Sequence, residues 1–331
     1  MVLNGASMNI IESYGPIQIV DSFVLGVLKK GGGHGEGRLY IGAQSNNRLL
    51  NSFFNNFSEK NIYSLSHREI NRYFEINENL FSHPIDKFNN PKQLAIHFET
   101  QSKYFLSNPS GHLILSFMDA TGAKDKARRY VRYLRGDNAS EMAWQIFRQL
   151  FLPNRSTITF HKTDKPHFFE ITVNTSESTI EKINDLETKN EFKRIENSTK
   201  ITTKKRYALV SSRFGQGDFR EDVLKIWGKC AITGMVNPAL IQACHIKDWS
   251  KATDAERLDE ENGIMLTHTL HKAFDEGLIC FNLKGELEVS PFVSKQDAKI
   301  LGVTHGQKIF KSVSKKQKEF LSWKLGRFRV L

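Results

Sequence analysis

Cys230-Ala-Ile-Thr-Gly234, Ala243-Cys244-His245-Ile246, Glu261-Asn262-Gly263-Ile264 and His271-Lys272-Ala273-Phe274-Asp275 follow one another in a single compact run. Leu240, Ile241, Ala243 and Ile246 flank His245 with apolar side chains, which predicts a short strand with His245 at one end. Asn262-Gly263 is a tight-turn signal, because both residues tolerate positive φ. Thr267 to Phe274 reads as a helix with Thr267 or Thr269 as its N-cap. His271 and Asp275 then stand at i and i+4, on one helical face and within reach of one ion. Strand, turn-containing loop and helix bring His245, Asn262, His271 and Asp275 towards one point. Taken singly, each has a plainer explanation: a histidine satisfied in the core, an ordinary turn, a solvated helix face. Their order and spacing together favour a site.

The pattern extends on both sides. Arg213-Phe214-Gly215-Gln216 and Phe219-Arg220 precede it, Arg257 lies inside it, and it trails off near Phe320-Leu321-Ser322-Trp323. As an ordered set, this stretch of about a third of the chain (about residues 213–325) resembles the HNH nuclease domain, the ββα-metal fold, in the variant found in restriction-type endonucleases. The resemblance implies a metal-dependent DNA endonuclease. It implies His245 as the general base that takes a proton from water and Asn262 as the brace of the loop behind it. His271 is implied as a metal ligand, with Asp275 as a further one, for Mg²⁺ or Mn²⁺. Arg213, Gln216, Arg220 and Arg257 are implied as structural positions.

Two residues depart from the family pattern. Cys244 stands where many relatives carry Asp or His as a ligand, and a lone thiol is a poor partner for Mg²⁺. Lys324 follows Trp323 where this variant leads one to expect His. Some relatives hold a structural zinc with two Cys-x-x-Cys pairs. Here Thr233 occupies the place of a partner for Cys230, while Cys244 and Cys280 stand alone, so no structural zinc is expected. Ile232, Leu240, Ile246, Trp249, Ile264, Leu266, Leu270, Phe274 and Ile279 are the expected core of this domain.

Composition agrees without deciding. Lys plus Arg is 47 against 36 for Asp plus Glu, a formal charge of +11, which favours encounter with polyanions. A chain of 331 residues has room for two domains. No run approaches the length of a membrane span, and no secretory signal is read at the N-terminus, so a cytoplasmic location away from membranes is expected. Three cysteines do not make a disulfide framework.

Ahead of the nuclease-like stretch, residues 1–175 are expected to form an α+β domain of no recognised family. Ser110 to Thr121 reads as a buried strand and turn, Ser140 to Leu152 as an amphipathic helix, and Thr157–Phe160 with Phe168–Val173 as a hairpin. The polar residues 176–206 read as a helix plus linker, leaving 207–331 as the nuclease domain. Lys124, Arg128, Arg129, Arg132 and Arg135, interleaved with Tyr130 and Tyr133, are placed on one helix. That helix is either a face that lies on phosphates or a solvated basic helix with its tyrosines in the core. Gly31-Gly-Gly-His-Gly-Glu-Gly37 lacks the Lys-Ser/Thr of a P-loop and reads as a flexible loop, with no nucleotide cofactor.

The expected protein is an α+β, two-domain restriction-type endonuclease acting on double-stranded DNA. A homodimer is among its expected partners, since a double-strand cut by one small site usually needs two copies. The alternatives are a nicking or homing-type nuclease, or a DNA-binding regulatory protein with a degenerate nuclease module.

Overall fold

The structure is a computed structural model and describes residues 8–28, 37–82, 91–123, 125–176, 194, 202, 205, 208–209 and 217–328. Lys124, Arg213, Gln216, the glycine-rich stretch up to Glu36 and most of residues 176–206 lie outside them. The fold is mixed α+β, and the chain divides into two compact units, residues 1–183 and 184–330.

In the first unit the elements run β1 (Ile10–Gln18), β2 (Leu39–Ala43), α1 (Asn47–Phe53), β3 (Ile62–Ser66), α2 (His67–Ser82), α3 (Pro91–Leu106), β4 (His112–Leu115), β5 (Phe117–Asp119), β6 (Arg128–Tyr133), α4 (Asn138–Phe147), β7 (Ser156–Thr163) and β8 (Phe168–Thr175). One sheet has the order β1-β7-β8-β3-β4 and a second the order β2-β6-β5. The β7–β8 pairing is antiparallel, as the hairpin reading required, while β3 runs parallel to β8. Strand alternation sends Tyr63 and Leu65 into an aromatic core, where Tyr63 stacks on Phe117 with ring centroids 3.6 Å apart. Ser64 lies opposite Glu170, and Glu170 opposite His161, in one row across the strands.

The basic segment is not a helix. Arg128–Tyr133 is strand β6, paired with β2 and β5. Its Arg-Arg-Tyr-Val-Arg-Tyr sequence is rich in aromatic and β-branched residues, which suit a pleated, half-buried surface, and its period is two rather than 3.6. Arg128, Tyr130 and Arg132 therefore share one face, and Arg129, Val131 and Tyr133 the other. Arg129 turns inward: its guanidinium donates to Asp119 (2.6 Å), Asn47 (2.6 Å) and Asn51 (3.1 Å).

The second unit holds α5 (Gly217–Trp227), β9 (Ile241–His245), α6 (Asp254–Arg257), β10 (Gly263–Thr267), α7 (His268–Asp275), β11 (Ile279–Phe281), β12 (Leu287–Val289), α8 (Lys295–Leu301) and α9 (Lys315–Leu325). β9 and β10 pair antiparallel with His245 opposite Gly263, and α7 follows directly. Ile246, Ile264, Leu266, Leu270, Phe274 and Ile279 are buried in one core as expected, and Ile232 packs against it; Trp249 is buried but packs with Leu209 and Leu258 in a separate cluster. Leu240 does not join this core. It is 48 % exposed, because the turn from Asn237, closed by the Leu240 amide on the Asn237 carbonyl (3.0 Å), ends just before β9 begins.

Asn262-Gly263 also differs from its expected form. Asn262 ends a 3-10 turn (Glu260–Asn262), and Gly263 opens β10 with φ −115° and ψ 143°, extended backbone open to any residue. The glycine is needed for space instead. A Cβ at this position would stand 2.2 Å from Cγ2 of buried Val223 on α5.

Candidate active site

His245 is the last residue of β9, as expected, and its ring is held on three sides. It stacks on Phe219 of α5 with centroids 4.2 Å apart and planes 2° from parallel. Trp249 meets it edge-on at 5.4 Å. Nε2 lies 3.0 Å from the Arg257 carbonyl. A carbonyl only accepts, so Nε2 carries the hydrogen, and in the neutral ring Nδ1 carries the lone pair. That arrangement suits a proton acceptor.

Asn262 is fully buried, and its amide is used at both ends. Oδ1 accepts from the Lys247 amide at 2.8 Å, and Nδ2 donates to the Glu256 carbonyl at 3.0 Å. Its own carbonyl accepts from the Ile246 amide at 2.8 Å. The residues immediately after His245 are thereby tied to α6 and the 3-10 turn. A capping box at Thr253 and Glu256 closes α6, and Lys247 reaches the Glu256 carboxylate at 2.8 Å, which lowers the Glu256 pKa.

Two of the arginines implied as structural, Arg220 and Arg257, make backbone ties. Arg220 donates to the carbonyls of Ile241 (3.0 Å) and Pro238 (2.8 Å), fixing α5 to the start of β9. Arg257 donates to the Trp249 carbonyl (3.0 Å) and lies 4.8 Å over the Trp249 ring. Its own carbonyl is the acceptor for His245.

On α7, His271 and Asp275 meet as one helical turn predicts, with Nε2 to Oδ2 at 3.0 Å. The Gln242 side-chain amide donates to His271 Nδ1, so in this arrangement Nε2 holds the hydrogen that Asp275 accepts. Desolvation by the surrounding groups pushes the Asp275 carboxyl up, although about half of its side chain stays exposed. The His271 hydrogen bond, with the charges of His271, Lys324 and Lys272, outweighs that and leaves it below its ordinary value. Cys244 faces the same side, fully buried, and burial followed by the Asp275 charge raises its thiol well above its ordinary value. A buried thiol is a poor partner for a hard ion such as Mg²⁺, which prefers oxygen ligands.

Lys324 is buried, its ammonium 3.0 Å from Asp248 Oδ1 and 4.7 Å over the Phe274 ring. Burial disfavours its charge, but Asp248 and Asp275 more than offset that, so it stays protonated.

The donor set fits a hard divalent ion in part. His271 and Asp275 are adjacent and solvent-reachable, at 24 % and 48 % side-chain exposure. Among the described residues no group of three or more His, Cys, Asp and Glu side chains is placed to hold a metal. Two protein donors are enough for Mg²⁺, which dehydrates reluctantly and keeps several waters.

Sequence reasoning left Gln242, the stacking role of Phe219 and the Arg257 carbonyl without functions. The alternation of β9, which puts Gln242 and Cys244 on one face and His245 on the other, was the available signal for Gln242. Residues 230–282 match the family model described as HNH endonuclease. No curated protein matches the chain. The matched segment spans Cys230 to Asn282 and includes β9, β10, α7 and the loop that Asn262 braces.

Proposed function

We propose that the chain is a metal-dependent DNA endonuclease of restriction type. Residues 207–331 cut, residues 176–206 link, and residues 1–175 hold the DNA. The observation that carries this reading is His245: its Nε2 hydrogen is committed to the Arg257 carbonyl and its ring is clamped by Phe219, which turns Nδ1 into the proton-accepting atom. In hydrolysis, Nδ1 takes a proton from the water whose oxygen attacks phosphorus, while the bond from phosphorus to the leaving oxygen breaks. Asn262 keeps the loop behind His245 from moving during that transfer. His271 and Asp275 would hold one divalent ion, Mg²⁺ or Mn²⁺. When bound, the ion supplies Lewis-acid polarisation of the phosphate and stabilises the leaving oxygen.

For ligation through Nε2, the His271 hydrogen must sit on Nδ1 and Gln242 must present its amide oxygen, a half-turn of one side chain. In the first unit Arg128, Arg132 and Arg135 are the cations assigned to DNA. Arg129 is not among them, because its guanidinium is spent on Asp119, Asn47 and Asn51. Two copies acting on opposite strands would give a double-strand cut.

The test is plasmid cleavage by the full chain. Parent protein should nick or cut supercoiled DNA in Mg²⁺ or Mn²⁺ and stop in EDTA. His245→Ala should lose roughly 10²–10⁴ in rate, the usual worth of general-base assistance, with duplex binding retained. Cleavage by His245→Ala within a few-fold of the parent rules out His245 as the base. Undiminished cleavage in EDTA rules out the metal mechanism.

A further inference from the structure

Where the turn after α1 meets the β7–β8 turn, the first unit has a cavity of about 540 Å³. That is within the range of small-molecule sites, roughly 300–1,000 Å³. Both turns carry left-handed backbone. Asn55, Asn56 and Phe57 run in succession at φ 48°, 55° and 55°, and His167 stands at φ 62°. Asparagine and histidine tolerate this region, but the bulky Phe57 is an outlier in it. Such backbone persists only where its surroundings hold it, and it gathers at ligand sites.

One buried side chain holds both turns. Asn61 is 1 % exposed. Its Nδ2 donates to the Phe54 carbonyl at 2.7 Å, and its Oδ1 lies 2.9 Å from His167 Nδ1. With Nδ2 turned to a carbonyl, Oδ1 is the acceptor. His167 Nδ1 therefore carries the hydrogen, and in the neutral ring Nε2 keeps a lone pair. The Ile62 amide closes on the His167 carbonyl at 2.8 Å, and Phe57 stacks on Phe54 with ring centroids 5.2 Å apart. The lining is thus set before any ligand arrives. Among the described residues, the side-chain amides of half-buried Asn55 and exposed Asn56 meet no hydrogen-bond partner. Lys162 and Lys165 line the same cavity. The carboxylate of the lining, Asp164, is already engaged by the backbone and side-chain amides of Asn9, at 3.2 and 2.6 Å.

We propose that this cavity receives a single unpaired nucleotide of the DNA, base and phosphate together. The proposal rests on reading the first unit as the part that holds DNA, and it adds what that unit reads. A carboxamide offers a donor and an acceptor side by side, the pattern that base edges present. The lysines suit the flanking phosphate, and the rings of His167 and Phe168 suit the face of a base. A base inside a duplex cannot reach a recessed turn, so it leaves the stack to enter. Phosphate contacts carry no sequence information, whereas contacts to an extruded base bear on which base is accepted.

The experiment is competition fluorescence anisotropy of the full chain in EDTA, so that cleavage plays no part. A labelled paired duplex is displaced by unlabelled duplexes of the same sequence. One is fully paired, four carry one extra unpaired nucleotide with each base in turn, and one carries an abasic residue at that place. Parent protein should prefer at least one unpaired base over the paired duplex by about tenfold or more, since such a base costs little to extrude. It should treat the abasic duplex like the paired one. N55G/N56G removes both amides while glycine keeps the left-handed backbone. Its preference should fall to within about twofold, with affinity for the paired duplex retained. Asn56→Gly alone should lower the preference several-fold, and it reports if the double variant fails to fold. A parent that binds no duplex or shows no preference overturns the proposal. So does a preference undiminished in folded N55G/N56G or Asn56→Gly, or an equal preference for the abasic duplex. Cleavage in Mg²⁺ is read separately. A parent that cuts without the preference keeps the nuclease reading and loses the pocket, and one that shows the preference without cutting does the reverse.

Discussion

Gly263→Ala separates two explanations for the glycine after Asn262. If a positive φ were required, any side chain would strain the backbone wherever its neighbours lay. The observed φ of −115° removes that reason, and the contact that remains is with Val223. An added Cβ would stand 2.2 Å from Val223 Cγ2 and 3.1 Å from Cγ1, with the Glu260 carbonyl at 3.0 Å. Val223 is fully buried and β-branched, so its side chain has little freedom to turn aside, and α5 has to give. Overpacking of this kind costs about 1–3 kcal/mol. Phe219, one turn earlier on α5, lies against the His245 ring, so the displacement should reach the site and slow cleavage as well.

Val223→Ala alone leaves a cavity and should cost about 2 kcal/mol, from two lost buried methyl groups plus imperfect collapse. In the double variant V223A/G263A the new methyl enters the space the valine vacated. The double-mutant cycle should therefore show a favourable coupling of about 1–3 kcal/mol rather than additivity. Urea unfolding of the four proteins, with plasmid cleavage measured alongside, supplies the numbers. Additive losses, or a G263A protein as stable as the parent, would refute the packing argument.

Three further outcomes are expected. Glu170, buried with Oε1 unpartnered, has its pKa pushed up to about 8 by desolvation, partly opposed by a hydrogen bond from Ser64. The folded value lies above the unfolded one, so its contribution is fully present below about pH 4.5 and is lost as pH rises through about 8, a change on the order of 5 kcal/mol. Glu170→Gln should flatten that loss in urea titrations at about pH 5 and pH 9, which span most of the window, and an identical pH slope in both proteins would contradict it. Gln242→Met should release His271 from its single tautomer, visible as mixed Nδ1–H and Nε2–H signals in nitrogen-15 NMR; an unchanged spectrum would remove Gln242 from the site. Cys280, raised to about 11 by burial, and Cys244, raised well above its ordinary value, should resist a thiol reagent at pH 8 until the protein is unfolded.

How much of this was legible in the sequence depended on the range of the forces involved. His271 and Asp275 could be paired from spacing alone, because a helix fixes the i, i+4 relation locally. His245 at a strand end was equally readable from the apolar residues around it. The two sides of the chain that clamp it were not. Phe219 reaches the ring from 26 residues upstream, and the Arg257 carbonyl is a backbone group with no sequence signature. Gly263 was misread for the same reason: Asn-Gly is a local turn signal, but here a distant helix decides why the glycine is there.

The β6 segment shows that residue type can be informative where the assumed period is wrong. Arg128, Arg129, Arg132 and Arg135 drew notice as a basic run, and on a helix Arg128, Arg132 and Arg135 would share one face. A strand instead splits Arg128 and Arg129 to opposite sides. The inward one is then spent neutralising Asp119. Arg128, Arg132 and Arg135 remain as the cations of this segment proposed to meet DNA. Under the proposed function, Arg129 would support binding only through its pairing with Asp119. If the first unit holds DNA as proposed, Arg129→Gln should leave Asp119 uncompensated and weaken duplex binding, and Asp119→Asn in the same background should restore it. Failure of that second change to restore binding would mean that Arg129 acts only through the fold.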